Sequence, residues 1–153
     1  MKKYDWLIFL DSDDTARAPM AAQVMKTHSL LSDLKILSRG LVVLFSEPVN
    51  PKAEAVLVSH GLSAKDHTAT QLQQNEITPR TLILTMEDQQ KDKVWSTYSD
   101  AGKVYPLAEY VGAKGDLLPL YGEPLSSYGK CLEIIELLVK GLVMRLNEEE
   151  IKK

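Results

Sequence analysis

The sequence predicts an α/β fold: a small doubly wound sheet of four parallel strands with helices on both faces. Three observations carry that expectation. Short apolar runs alternate with segments of helical spacing across short loops, as in β-α-β units with right-handed crossovers. The first run, Trp6 to Leu10, is apolar at almost every position, the pattern of a strand covered on both faces. Tyr128, Leu132, Ile135, Val139, Leu142 and Leu146 recur at four and three residues, a core-facing stripe along one final helix. In a sheet of this kind the site lies at the carboxyl ends of the strands.

Taken in order, Tyr4 to Leu10 reads as the first strand. Pro19 sits where a first helical turn tolerates it, and Ala21, Val24, Met25 and His28 follow helical spacing. Leu34 to Leu37 is a short second strand closed by Ser38-Arg39-Gly40, and Leu41 to Phe45 is either strand extension or packed loop. Asn50-Pro51 starts a helix with Asn as cap and Pro at the first position. Ala53, Val56 and Leu57 are its buried stripe, and His60-Gly61 its end. Residues 62–78 are polar, with a short helical stretch expected around Leu72. Thr81 to Met86 is the third strand, Glu87 to Tyr98 a charged helix, Lys103 to Leu107 the fourth strand, and Gly112 to Pro124 a loop rich in Gly and Pro. In the last helix Cys131 lies beside the stripe with no basic neighbour to lower its pKa, which makes it a buried structural thiol. Residues 147–153 form a charged run expected to fray.

Bulk properties narrow the function classes. The chain has 153 residues, is 44% hydrophobic and 25% charged, and fits one globular domain spanning 1–153. A net charge of −3 and a pI near 5.6 give no reason to expect nucleic acid. A single cysteine excludes an internal disulfide and fits a reducing compartment. Lys2-Lys3 and the apolar run after them look briefly like a leader, but the run is short and ends in Asp11, so a cytoplasmic protein is expected. No run approaches a membrane span.

The chemistry concentrates in the turn after the first strand: Asp11-Ser12-Asp13-Asp14-Thr15-Ala16-Arg17. A strand–loop–helix turn aims amides and the positive end of a helix dipole at one point, which makes an anion cradle. Arg17 at its end offers a fork suited to phosphate oxygens. Yet the cradle carries three carboxylates, a formal −2 against its one arginine.

Arg17-Ala18-Pro19-Met20-Ala21 after the first strand, Ser38-Arg39-Gly40 after the second, His60-Gly61, His67 with Gln71-Leu72, Leu82 to Met86, and Tyr121-Gly122 followed by Tyr128 come in family order. Together they make the chain resemble the low-molecular-weight protein tyrosine phosphatases over nearly its whole length. The resemblance implies a phosphate loop of residues 11–17 and a thiolate nucleophile at its first position, where this chain has Asp11. Asp13 and Asp14 stand for the family's loop glycine and asparagine, and Ala18 for the serine after the arginine. The family's general acid position, counted back from Tyr121, holds Pro119, and the nearest carboxylate, Asp116, is displaced by three residues. Tyr121 would stand at the pocket rim. His67 belongs to the network that supports the loop; here it is either a partner of Asp14 or a solvent-facing histidine, and the residues alone leave both open. Thr15 occupies a position that in some bacterial relatives favours phosphoarginine.

A phosphate about 4 Å from an uncompensated carboxylate meets roughly 4 kcal/mol of repulsion at an effective dielectric near 20, more than the roughly 0.3–2 kcal/mol a helix terminus returns. The expectation is a self-plugged site, with Asp11 held by Arg17 and the loop amides, in an inactive, phosphatase-like binding or regulatory module without cofactor. Its partner would be a protein, with Tyr105, Tyr110 and Tyr121 as candidate contacts. The alternative takes Asp11-x-Asp13 at face value as the first motif of a haloacid-dehalogenase-like, Mg²⁺-dependent phosphohydrolase, with Thr85 as a second motif.

Overall fold

The computed structural model describes residues 3–152, so Lys2 of the leader-like start and Lys153 of the charged end lie outside it. β1 (Trp6–Asp11), β2 (Lys35–Gly40), β3 (Thr81–Thr85) and β4 (Val104–Pro106) form one parallel sheet in the order β2-β1-β3-β4. Trp6 pairs in register with Lys35 on one side and Thr81 on the other. Around the sheet lie α1 (Arg17–Met25), α2 (Pro51–Ser59), α3 (Asp88–Thr97), the single turn α4 (Leu107–Tyr110) and α5 (Leu125–Lys152). Among the described residues no helix is long and apolar enough to cross a membrane.

Both faces of the sheet are covered, which is why β1 carries no polar alternation. Leu7 and Phe9, with Leu82 and Leu84, pack on one face against α1, α2 and the α5 stripe. Ile8 and Leu10, with Ile83, pack on the other against Leu72, Val94 and Val104. All six residues of the predicted α5 stripe are buried, and so is Cys131. Asn50 caps α2 through its side chain, which accepts from the Lys52 amide at 2.8 Å. Gly61 adopts φ +78°, the left-handed value expected where that helix ends.

Several boundaries differ from expectation. Tyr4 precedes β1 and is buried in the core on the α5 side of the sheet, with its hydroxyl 3.3 Å from that of Tyr110. Ser38-Arg39-Gly40 does not close β2 but is its last half, because Arg39 and Gly40 still pair with Leu10 and Asp11. Leu41 to Phe45 is loop, with Leu44 and Phe45 exposed. Leu72 is not helical: a bridge from Gly40 to Gln71 prolongs the sheet edge, and the helical turn falls at Gln74–Glu76. The run after Asn147 does not fray. α5 continues to Lys152, because Glu149 accepts from Lys3 Nζ at 2.6 Å, Tyr110 Oη at 2.5 Å and Arg145 Nε at 3.0 Å. Ser32 also donates to Glu150. The same cluster removes Tyr110 from the candidate contact surface, since it is buried, while Tyr105 and Tyr121 are exposed.

Candidate active-site loop

β1 delivers Asp11 to the carboxyl edge of the sheet, and α1 begins at Arg17, so residues 12–16 must turn back over the helix N-terminus. Asp14 makes that turn at φ +60°, a left-handed conformation that Asp and Asn tolerate better than bulkier residues. Neighbouring segments clamp the loop. Leu41 and Val42 donate to the carbonyls of Asp11 and Ser12 at 3.0 Å each, and Asn50 donates to that of Thr15 at 2.7 Å. Gly40 is required here, because a Cβ would fall 2.8 Å from the Asp13 carbonyl carbon.

The Asp11 carboxylate occupies the cradle. Its Oδ1 accepts from the Asp14 amide at 2.6 Å and its Oδ2 from the Ala18 amide, in the first turn of α1, at 2.9 Å. It is 2% exposed. Burial pushes its pKa up to about 6, against the pull of the Ala18 N–H and the Arg17 charge.

Arg17 is not its hydrogen-bond partner, which corrects one half of the expected plug. The guanidinium Nη1 donates to Glu87 Oε2 and to the Leu117 carbonyl, both at 2.6 Å, and the ion pair is buried. Asp11 has its two oxygens filled by amides, whereas Glu87 stands at the carboxyl end of β3, next to β1, with a carboxylate that still needs a cation. The site fixes Glu87 tightly. Gln90 Oε1 accepts from the Met86 and Glu87 amides at 3.1 and 3.0 Å, and the Thr85 hydroxyl donates to the Glu87 carbonyl at 2.8 Å. Sequence reasoning passed Glu87 over as an ordinary helix-start residue. The available signal was its position: it follows the strand beside β1 at the sheet edge where the site lies.

Asp14 is fully buried. Its Oδ2 accepts from the Thr70 amide at 2.9 Å, while Oδ1 is buried with no hydrogen-bond partner among the described residues. His67 does reach Asp14, but through the main chain: Nε2 lies 2.7 Å from the Asp14 carbonyl and 3.6 Å from Oδ1. Burial drives the Asp14 pKa up to about 6, although the Ser38 hydroxyl, the Thr70 amide and Arg39 favour the ionised form. Arg39 is itself committed to Glu76 at 2.8 Å. Asp13 points outward and accepts from the Thr15 hydroxyl at 2.8 Å, so the carboxylates of Asp11 and Asp13 serve different partners. Among the described residues no group of three or more His, Cys, Asp or Glu is placed to hold a metal ion.

The open remnant of the cradle is a cavity of about 60 Å³ whose walls include Ser12, Ala16, Pro119, Tyr121 and Tyr128. Pro119 lines the mouth, and Tyr121 stands at the rim, 96% exposed. Asp116 serves elsewhere, accepting from the Asp88 amide at the start of α3 at 2.9 Å. Ala18 is buried in the core and brings no hydroxyl to the loop. Burial raises the Cys131 thiol to about 11, so it stays protonated.

The description of the low molecular weight phosphotyrosine protein phosphatases matches residues 6–152. The low molecular weight protein-tyrosine-phosphatase PtpB of Staphylococcus haemolyticus is 32% identical over 136 residues, which are 89% of this chain and 96% of that one. Among solved structures, the YwlE arginine phosphatase of Geobacillus stearothermophilus superposes with a TM-score of 0.88 at 26% identity, covering 97% of this chain and 96% of that one. A low molecular weight protein tyrosine phosphatase from T. tengcongensis gives 0.85 at 29% identity, covering 92% of this chain and 99% of that one.

Proposed function

The chain belongs to the low molecular weight phosphotyrosine protein phosphatase family, and on that premise we propose that it is a pseudophosphatase, a cytoplasmic binding or regulatory module that holds its own carboxylate where relatives hold phosphate. One observation carries the reading. The residue at the family's nucleophile position, Asp11, saturates both carboxylate oxygens with the loop amides of Asp14 and Ala18. An incoming phosphate has to displace a covalently tethered anion and then sit beside it. At about 4 Å that costs roughly 4 kcal/mol even at an effective dielectric near 20.

The other half of the machinery points the same way. Arg17, which would attract the phosphoryl group, is already neutralised by Glu87. Pro119 stands where a general acid is needed, and Asp116 is spent on a helix terminus. Without nucleophile, free cation and acid, differential stabilisation of a phosphoryl-transfer transition state has no source in this loop. The fold then serves as a platform for a protein partner, with no nucleic acid, membrane or cofactor involved.

The test is turnover of p-nitrophenyl phosphate and of a phosphoarginine substrate, the second chosen because one structural relative is an arginine phosphatase. Each is measured in EDTA and again with Mg²⁺, against the Arg17→Ala variant as blank. The expected result is no difference from the blank in either buffer. Asp11→Cys alone is expected to remain inactive, because Glu87, Asp13, Asp14 and Pro119 are unchanged and residues acting as a unit do not contribute additively. Turnover in EDTA that disappears in Arg17→Ala would overturn the reading. Turnover only with Mg²⁺ would favour the aspartate-based enzyme.

A further inference from the structure

We propose that the apolar rim around the Asp11 loop docks a partner segment that carries a basic side chain between apolar residues, its cationic head set against Asp13 and the Tyr121 ring. This rests on the self-plugged reading of the loop and names what the surface takes in place of phosphate. Two segments border the loop and turn large apolar side chains to solvent. On 41–50, Leu44 is 80% exposed and Phe45 74%, with Val42 open beside them; next to Pro119, Leu118 is 74% exposed, and Tyr121 follows at the rim. Exposed apolar residues scattered singly are ordinary, but several gathered around one cleft mark a contact surface.

The backbone places these side chains at the cleft and holds them there. The Val42 and Asn50 amides donate to the carbonyls of Ser12 and Thr15, so the 41–50 segment is anchored to the loop near both of its ends. Between them, the Val43 amide donates to Gln71 Oε1 at 3.1 Å, and the Glu47 carbonyl accepts from the Ala69 amide at 2.8 Å. Asn50 from this segment and Tyr121 from the other both line the small cavity, together with Asp13. Exposure on a segment pinned in this way is not the by-product of a loose loop, and a surface already ordered loses little entropy when a partner covers it.

Charge chooses the occupant. The loop brings Asp11, Asp13 and Asp14, and an exposed Glu47 follows Phe45. The cations nearby are committed: Arg17 to Glu87, Arg39 to Glu76, and Lys52, above the Tyr128 ring, to the Glu123 carbonyl at 2.7 Å. Asp13 faces the cavity with an oxygen to spare, since among the described residues its carboxylate accepts only from the Thr15 hydroxyl, through Oδ1. Acidic groups in a cleft with apolar walls focus a negative field that draws cations. An ammonium or guanidinium there meets the Asp13 carboxylate and the open face of Tyr121, whose ring attracts it, while its apolar neighbours cover Leu44 and Phe45. The same charges repel nucleic acid, an anionic membrane and, in a chain of net charge −3, a second copy presenting the same face.

Fluorescence anisotropy of the full chain with short labelled peptides tests this. Each peptide has leucines on both sides of a central residue: arginine, its neutral isostere citrulline, or phosphotyrosine. The arginine peptide should bind at submillimolar concentration, about fivefold or more tightly than the citrulline peptide, and the phosphotyrosine peptide should not bind. Asp13→Asn, which can keep the Thr15 bond, should abolish the preference for arginine and leave citrulline binding unchanged. Phe45→Ser should weaken both peptides alike. Both positions are exposed, so unchanged thermal midpoints will exclude unfolding as the cause. Equal binding of arginine and citrulline, a preference that survives Asp13→Asn, or no binding of the arginine peptide would each overturn the proposal while the plugged loop stands. Binding of the phosphotyrosine peptide would overturn the plug as well.

Discussion

Two regions of this molecule bury carboxylates, and they do it with opposite consequences. At one end of the sheet, Asp11 and Asp14 are surrounded by amides, and burial lifts both to about 6. At the other, burial also pushes Glu149 upward, but Lys3, Tyr110 and Arg145 outweigh it and hold the group below the ordinary glutamate range. The Glu149 cluster ties the start of the chain to the end of α5 and stabilises the fold. The loop spends stability, because its only inward arginine answers to Glu87 instead. In the loop, the amides of Asp14 and Ala18 donate to the chain's own Asp11 carboxylate.

Breaking the Arg17–Glu87 pair should give the largest effect. Glu87→Ala leaves a guanidinium buried without its counter-ion, and removing one partner of a buried pair typically costs about 3–5 kcal/mol. Urea denaturation of Glu87→Ala against wild type measures it. A loss below about 1 kcal/mol would show that Arg17 re-pairs with Asp11, the arrangement expected from sequence alone.

The next effect is pH dependence, and its sign separates the two regions. Asp11 and Asp14 bind protons more tightly folded than unfolded, so their contribution is greatest below the unfolded value of 3.8 and falls as pH rises through about 6. A shift from 3.8 to about 6 corresponds to about 3 kcal/mol for the fully buried Asp11. Asp14→Asn isolates the second group. The amide oxygen can keep the Thr70 bond, and the –NH₂ takes the place of the unpartnered Oδ1. The variant is therefore expected to be more stable than wild type by about 1–3 kcal/mol at pH 7, and no more stable at pH 4. Equal stability at pH 7 would mean that Asp14 is not strained by burial.

Glu149→Gln should run the other way and be smaller. Its depressed pKa contributes stability above the ordinary glutamate value, lost as pH falls through the folded one. The cluster is only partly buried, so the expected loss at pH 7 is about 0.5–1 kcal/mol, shrinking toward pH 3. Denaturation curves of Asp14→Asn and Glu149→Gln across pH should therefore diverge from wild type in opposite directions.

This contrast also marks how much could be read from the sequence. The sheet, α2 with its Asn50 cap and the α5 stripe were legible, because periodicity and capping are local signals. The loop was legible as a contradiction, with three carboxylates in an anion cradle, and the amide half of the plug followed from it. Arg17's partner was not. Glu87 lies 70 positions away, and only the β1–β3 pairing brings it near. The frayed tail failed for the same reason: Glu149 looks like a solvated charge until Lys3 and Tyr110 arrive from elsewhere in the chain. Local pattern fixes which groups are present, and long-range pairing fixes which of them neutralise one another.

The remaining prediction concerns ligand binding rather than folding, and it tests the plug most directly. Asp11→Ser removes the tethered anion and leaves the Asp14 and Ala18 amides unfilled, with the Arg17 charge beside them. Sulfate is the better probe than phosphate, since its charge does not change near neutral pH. Wild type should show no thermal shift with sulfate. The variant should show one, because a ligand at ten times its dissociation constant adds about 1.4 kcal/mol, or roughly 3–5 °C for a domain of this size. The shift should also grow as pH drops from 8 to 6, because Asp14, with a folded pKa of about 6, begins to lose its opposing charge there. Asp13 is exposed and screened, so added NaCl at fixed sulfate should lower the shift only modestly. An equal sulfate shift in wild type would mean that the Asp11 carboxylate swings out of the cradle at little cost, and the loop would then be a working anion site that its own aspartate merely guards.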